Sequence, residues 1–320
     1  MTNNTILKIA NYRILSQLYE SANTLVYRGI QEGEHQPVIL KLLKQDYPTP
    51  QELTRYRQEY EITHNLTIDS VVKAYKIQPY QRTLVIILED FGGESLKQWM
   101  SQPTKLSSSL PLQDFLNIAI KIAEILAQIH AVDVIHKDIN PSNIVFNPET
   151  GQLKIIDFGI STQLTRENPA LKNPHVLEGT LAYISPEQTG RMNRSLDYRT
   201  DFYSLGVTFY ELLTGKLPFE TKDAIELVHC HIAKVPTPPH LVGEEVPRDV
   251  PAKPLKPIPP TISNIVMKLM AKTAEERYQS AWGIVADLQN CQRKLAETGT
   301  IEDFSLGSQD ISEHFQIPQK

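Results

Sequence analysis

The rhythm of apolar and polar positions changes once along this chain, near residue 92. Before that point, short runs rich in β-branched and aromatic residues recur at Tyr12–Leu18, Thr24–Ile30, Val38–Leu43, Val71–Ile77 and Thr83–Leu88, and they predict one antiparallel sheet. Between the third and fourth runs, Pro50–Leu66 is rich in Glu, Arg and Gln with apolar residues at helical spacing, which predicts a single helix. After Gly92-Gly93 the period lengthens: Phe115, Ile118, Ile122, Ile125, Leu126 and Ile129 form one stripe wide enough to bury against a core. Ile144–Phe146 and Leu153–Ile156 flank the turn-forming Asn147-Pro-Glu-Thr-Gly151 and predict a hairpin. Further helices are predicted over Asp201–Leu213, Asp223–Lys234 and Thr261–Lys272, and a last one from a Ser280 cap to about Leu295.

This pattern predicts an α+β protein of two lobes. Residues 1–91 form a small antiparallel β lobe with one helix, and residues 92–297 form a larger, mainly α lobe. Proline is too frequent in Pro236–Pro260 for a helix or central strand, so that stretch reads as an extended surface loop. Residues 298–320 mix Gly, Ser, Asp, Glu and Gln around isolated apolar residues and read as a linker or disordered tail.

Composition narrows the class. With 320 residues and 41% hydrophobic content, the chain can bury a sizeable core without covalent staples. Two cysteines, Cys230 and Cys291, are too few for a disulfide framework, and Met1–Ala10 lacks the basic start and apolar core of a signal peptide. A reducing cytoplasm is the expected location. No apolar run reaches the roughly 18 residues of a membrane span. A net charge of -5 argues against nucleic acid as a partner, because a duplex-binding face must be basic.

The chemistry concentrates in a few motifs that follow one another in a fixed direction. Val38-Ile-Leu-Lys41 places a lysine on an apolar strand, and Glu59 or Glu61 follows on the helix. His136-Lys-Asp-Ile-Asn-Pro-Ser-Asn143 and Asp157-Phe-Gly159 sit at the two ends of the hairpin. Ser185-Pro-Glu187, Asp201 and Arg277 come later. In this order and spacing, Tyr12–Leu295 resembles the eukaryotic-type Ser/Thr protein kinase family. It looks most like the N-terminal kinase module of large bacterial multidomain signalling proteins with ATPase, sensor and histidine-kinase domains downstream.

The resemblance implies a bilobal kinase fold that transfers the γ-phosphoryl group of Mg-ATP to a Ser or Thr hydroxyl of a protein substrate in signal transduction. It makes Asp138 the catalytic aspartate that orients that hydroxyl, and Asn143 and Asp157 the Mg²⁺ ligands, since this ion favours hard oxygen donors. Lys41 would hold the α and β phosphates, with Glu59 favoured over Glu61 as its ion-pair partner. The backbone at Glu89 and Phe91 would bond adenine, and Leu18, Val26 and Val145 would pack on its faces. Ser161, Thr162, Thr165 and Thr180 are the hydroxyls of the activation segment. His136, Glu187, Asp201 and Arg277 take structural roles, with Glu187 pairing Arg277 and Asp201 holding the catalytic-loop backbone.

The chain departs from the family pattern in three ways. Tyr19, Ser21 and Thr24 stand where a phosphate-covering loop would carry glycines, Asn140 stands where Ser/Thr members carry a lysine, and Lys137 replaces an arginine. The first two support an alternative, a pseudokinase or weakly active ATP-binding regulatory module. A small-molecule phosphotransferase of related fold is a third reading, opposed by the complete Ser-Pro-Glu segment with Asp201 and Arg277. His229-Cys230-His231 suggests no metal site, because neighbours on a helix point in different directions.

Overall fold

Five strands, β1 (Tyr12–Glu20), β2 (Thr24–Gln31), β3 (Pro37–Leu43), β4 (Ala74–Tyr80) and β5 (Thr83–Glu89), make an antiparallel sheet in the order β1-β2-β3-β5-β4. The computed structural model describes residues 9–21, 23–44, 47–102, 110–163, 181–191, 196–242 and 257–311. Alternation along β3 and β5 sends Val38, Leu40, Leu42, Val85 and Ile87 to one face, where they pack with Ile9. Leu84 and Ile86 go to the other face and meet Tyr56 of α1 (Pro50–Asn65).

Helix α1 starts where the sequence supplies a start signal. Thr49 accepts the N–H of Glu52, the Glu52 carboxylate accepts the N–H of Thr49, and Pro50 occupies the first turn. Its buried residues Tyr56, Glu59 and Thr63 recur at helical spacing, so the same stripe that packs the helix also carries an acid inward. The Tyr56 hydroxyl donates to the Lys41 carbonyl.

The chain divides into two compact units, though not at residue 91: the first runs through Glu94 and also takes in Val145–Ser161. Long-range bonds explain why the hairpin β8 (Ile144–Phe146) and β9 (Leu153–Ile155) groups with the sheet. Val71 bridges Ile155, Val72 N–H donates to the Ile155 carbonyl, and Lys154 pairs with Glu89. The same bonds shift the fourth strand, expected over 71–77, to Ala74–Tyr80, because Val71 and Val72 are committed to the hairpin.

The second unit is helical. After β6 (Glu94–Ser95) come α2 (Leu96–Met100) and α3 (Leu112–His130), whose apolar stripe is buried almost throughout. Strand β7 (Val134–Ile135) pairs with β10 (Thr162–Gln163). Helix α4 (Arg199–Thr214) is buried on all sides, as expected for a central helix, and α5 (Ala224–Ala233), α6 (Pro260–Leu269) and α7 (Ala281–Thr298) complete the unit. Gly206 lets α4 approach α6 closely, since an added Cβ would lie 2.7 Å from Met270. Helix α6 stops short of the expected Lys272: Ala271 N–H donates to the Lys268 carbonyl in a tightened last turn, and the carbonyls of Ala271 and Lys272 accept from the Arg277 guanidinium. The proline-rich stretch forms a short 3₁₀ turn at Pro239–Leu241, and 243–256 lie outside the described residues.

Residues 300–311 differ from the expected linker, because they are latched onto the helical unit. Thr261 donates to Asp303 at 2.6 Å, and Gly307 N–H donates to Asp287 at 2.7 Å. Asp310 accepts from the N–H groups of Gln279 and Ser280 at 2.7 and 2.8 Å and from the Ser280 hydroxyl at 2.8 Å. A Cβ on Gly283 would overlap this carboxylate, so the first turn of α7 is shaped to receive it. Isolated apolar residues among polar ones concealed this, since the latch is polar. Asp310→Ala should therefore lower stability by about 1–2 kcal/mol, read as an earlier urea midpoint with an unchanged slope.

Candidate active site

In the first unit, Lys41 faces two carboxylates. Its Nζ lies 2.6 Å from Glu59 Oε1 and 2.9 Å from Asp157 Oδ1. Glu59 is thus the helix glutamate that meets the lysine, while Glu61 is exposed. Burial pulls the Lys41 ammonium down, yet the Asp157 and Glu59 carboxylates outweigh it and hold the amine well above the usual lysine range. Burial pushes Glu59 up, Asp157 adds to that push, and Lys41 opposes it, leaving the carboxyl at about 7. Burial first, and then the neighbouring Asp157 charge, is why a proton is retained there.

Asp157 has φ 67, a left-handed conformation that a non-glycine residue adopts only where its surroundings hold it. Gly159 follows with its N–H donating to Asp157 Oδ1, and an added Cβ would come 3.1 Å from that oxygen and 3.3 Å from Glu59 Oε2. A glycine is needed to keep both carboxylates in place. Phe158 between them is fully buried.

Residues 89–94, the strap after β5, are tied down side chain by side chain within the same unit. Lys154 Nζ donates to Glu89 at 2.8 Å, Arg28 reaches Asp90 at 2.6 and 3.2 Å, and Asn147 Nδ2 donates to the Phe91 carbonyl at 2.7 Å. Leu18, Val26 and Val145 are half-buried members of this unit. Arg28, Asn147 and Lys154 did not emerge from the sequence reading. Lys154 carried the one usable signal, a charge on an otherwise apolar strand. The turn between β1 and β2 is closed by its own side chain: the Ser21 hydroxyl accepts the N–H groups of Asn23 and Thr24, at 3.3 and 3.0 Å.

In the second unit the loop after β7 is organised by Asp201, a fully buried carboxylate on α4. It accepts the N–H groups of His136 and Lys137 at 2.9 and 2.7 Å, and His130 Nε2 lies 2.8 Å away. Burial would raise its pKa, but the His130 hydrogen bond and the charges and N–H groups around it keep it below the ordinary aspartate range. Lys137 is held at φ 67, and its carbonyl accepts Gln188 Nε2 at 2.8 Å. The next residue, Asp138, is gripped by amides: Asn143 Nδ2 donates to Oδ2 at 2.9 Å, and Asn140 Nδ2 donates to Oδ1 at 3.0 Å. With Asn143 Nδ2 so engaged, its amide oxygen faces away from Asp138 and offers a hard donor atom.

Glu187 and Arg277 meet as a bidentate pair at 2.6 and 2.9 Å, with the guanidinium fully buried. Among the hydroxyls of the segment, Ser161 is buried, Thr162 belongs to β10, and Thr165 and Thr180 lie outside the described residues. On α5, His229 is exposed while His231 is buried against Tyr203, its imidazole pushed down to about 3 by burial and then by Lys272. No group of three or more His, Cys, Asp or Glu side chains that could hold a metal ion occurs among the described residues.

The sheet unit thus bears a Lys-Glu-Asp cluster, and the helical unit bears an aspartate held by amides on a strained loop. The protein kinase domain family matches residues 12–287, and the chain belongs to it. It is similar to a probable serine/threonine-protein kinase of Clostridium perfringens, 28% identical over 88% of this chain and 38% of that protein. It is also similar to the serine/threonine-protein kinase PrkC of Bacillus subtilis, 29% identical over 79% of this chain and 36% of that protein. A hybrid signal transduction histidine kinase of Dictyostelium discoideum is 30% identical over 65% of this chain and 8% of its own length. The chain spans less than half the length of these relatives.

The Glu59 proton makes the cluster measurable. The folded chain keeps this proton to about pH 7, whereas an unfolded glutamate releases it near 4.5. The folded state binds more protons in that window, so this group's contribution to stability declines as pH rises through it. Glu59→Gln should remove that decline, checked by urea unfolding at a series of pH values from 4.5 to 7.5.

Proposed function

We propose that this chain is a Ser/Thr protein kinase domain that transfers the γ-phosphoryl group of ATP to a protein hydroxyl. The single observation that carries the reading is the Asp138 carboxylate, fixed by amide donors on both oxygens in a loop whose backbone is itself held by Asp201. Such a carboxylate is an acceptor of fixed direction. It takes the hydrogen bond of the substrate hydroxyl and then its proton, as the hydroxyl oxygen bonds to the γ-phosphorus and the bond to the β-phosphate oxygen breaks.

Lys41, kept protonated by its two carboxylates, is the residue to hold the α and β phosphates. Glu59 fixes its position. The Asn143 amide oxygen and the Asp157 carboxylate are hard oxygen donors suited to Mg²⁺, which supplies charge neutralisation on the phosphates when bound. Glu89 and Phe91 would offer backbone groups to adenine, with Leu18, Val26 and Val145 on its faces. The strap's side-chain ties fix where that backbone lies. Ser161, Thr162, Thr165 and Thr180 would be the segment hydroxyls open to regulation, Ser161 only after it leaves its buried position.

Serine and threonine are favoured over tyrosine because the segment ends Gly179-Thr-Leu-Ala-Tyr-Ile-Ser-Pro-Glu187, and the similar proteins are named as serine/threonine kinases. Their greater length supports reading this chain as one module of a longer cytoplasmic signalling protein, fed by cytoplasmic ATP. No helix among the described residues is long and apolar enough to cross a membrane.

The test is transfer of labelled phosphate from Mg-ATP to the chain itself and to a general protein substrate, followed by phosphoamino-acid analysis. Asp138→Asn should reduce incorporation by about 10²- to 10⁴-fold, the size of a lost general base. Equal incorporation by both proteins would overturn the reading.

A further inference from the structure

The residue of the catalytic loop that most changes its chemistry is Asn140, and its role is fixed by bonds within the helical unit. Asn140 is buried, and its two amide ends face different partners. Oδ1 accepts the N–H of Ser142 at 2.9 Å. A backbone N–H can only donate, so the oxygen of the side chain belongs on that side and the NH₂ group on the other. There Nδ2 reaches both Asp138 Oδ1 at 3.0 Å and the Asp138 carbonyl at 3.1 Å.

Asn143 completes the arrangement from the other side. Its Nδ2 reaches Asp138 Oδ2 and the Asp138 carbonyl, both at 2.9 Å, and its N–H closes the loop onto the Asn140 carbonyl at 3.0 Å. Each carboxylate oxygen of Asp138 is thus held by a different amide, and both amides also bind the aspartate's own carbonyl. Two anchored oxygens fix both torsions of the side chain. A single anchor would leave the carboxylate plane free to turn.

We infer that Asn140 is a positioning residue for phosphoryl transfer: it acts through Asp138, locking the carboxylate plane, and not by contact with the transferred phosphate. This rests on the kinase reading above. It also reassigns the position, where Ser/Thr members of the resembled family carry a lysine directed at the γ-phosphate. An amide cannot supply that charge. It can donate to a carboxylate while accepting from a backbone N–H, which an ammonium cannot do.

The deciding measurement is a mutant cycle in phosphate transfer from Mg-ATP, comparing the wild type, Asn140→Ala, Asn140→Asp and Asp138→Asn with the two double variants. Asn140→Ala should lower kcat about ten-fold with the KM for ATP unchanged. Asn140→Asp keeps the acceptor for Ser142 N–H, so the loop stays capped, but replaces the donor to Asp138 with a second carboxylate and should lower kcat further. In the Asp138→Asn background neither change should lower the residual rate again, because a residue that acts through Asp138 then has no carboxylate to hold. The side-chain amide protons of Asn140 give the second readout, and their NMR resonances should move in Asp138→Ala.

Losses that add in the Asp138→Asn background would overturn the inference, as would a loss confined to the KM for ATP or Asn140 amide resonances that do not move. A wild type that transfers no phosphate would overturn the kinase reading, and moved amide resonances would then leave only the Asn140–Asp138 bond standing. If the alanine variant fails to fold, the capped Asn140→Asp variant still decides the point through its own mutant cycle.

Discussion

The bond on which the rest of the helical unit's chemistry depends is the one from the Asp201 carboxylate to the backbone of the loop at residues 136 and 137. Lys137 sits at φ 67, a conformation that costs a residue with a side chain of order 1 kcal/mol or more. A loop left to itself would relax from it. Asp201 prevents this because it is wholly buried on a helix buried on every side, so it can neither move nor find water as a substitute. The neighbouring His130 must donate through Nε2, since a carboxylate only accepts, and that bond fixes the carboxylate in turn. Asp138, one residue beyond the strain, inherits its direction from these contacts.

Two buried ionic groups in the chain illustrate different uses of the same chemistry. Arg277 and Glu187 are one cation and one anion, and the guanidinium also donates to the carbonyls of Arg199 and Ala271 at 2.8 Å. Charge and hydrogen bonds balance, which suits a fixed support. In the Lys41, Glu59 and Asp157 cluster one ammonium bonds two carboxylates, and burial pushes one of them, Glu59, to about 7. A buried carboxyl with so perturbed a proton affinity contributes little to stability for its burial and is a candidate functional group. The Asp157 carboxylate is also the more exposed of the three, at 39% against 9% and 10% for Lys41 and Glu59.

What could be read from the sequence was whatever repeats or follows a fixed order. The period-two runs placed the five strands and the 3.6 period placed α3, and the spacing of Lys41, Asp138, Asn143 and Asp157 is what makes them the expected site, because each is a local pattern. What escaped depends on pairing between distant segments. Val71 and Val72 look like strand residues of the sheet and serve the hairpin instead. Asn147 looks like a turn former, and it is one, with Oδ1 capping Glu149 N–H, yet its Nδ2 spans to Phe91. Asp303, Asp287 and Asp310 carry no apolar signal, so a latch built from carboxylates and N–H groups was indistinguishable from a solvated tail.

The two departures from the family pattern that weigh most on activity share one physical form. At the β1–β2 turn, Ser21 replaces a glycine and its hydroxyl takes the N–H groups of Asn23 and Thr24. In the loop after β7, Asn140 replaces a lysine and takes the Ser142 N–H while donating to Asp138. Each time a short polar side chain turns back onto its own loop, where the family directs a flexible backbone or a cation toward phosphate. Short side chains of this kind bind neighbouring backbone because only one or two torsions must be fixed to do so. The ordering is then completed during folding and is not required of the nucleotide at binding. Missing glycines and a missing lysine come here with loops already ordered by their own side chains, so they are poor grounds by themselves for calling such a site inactive.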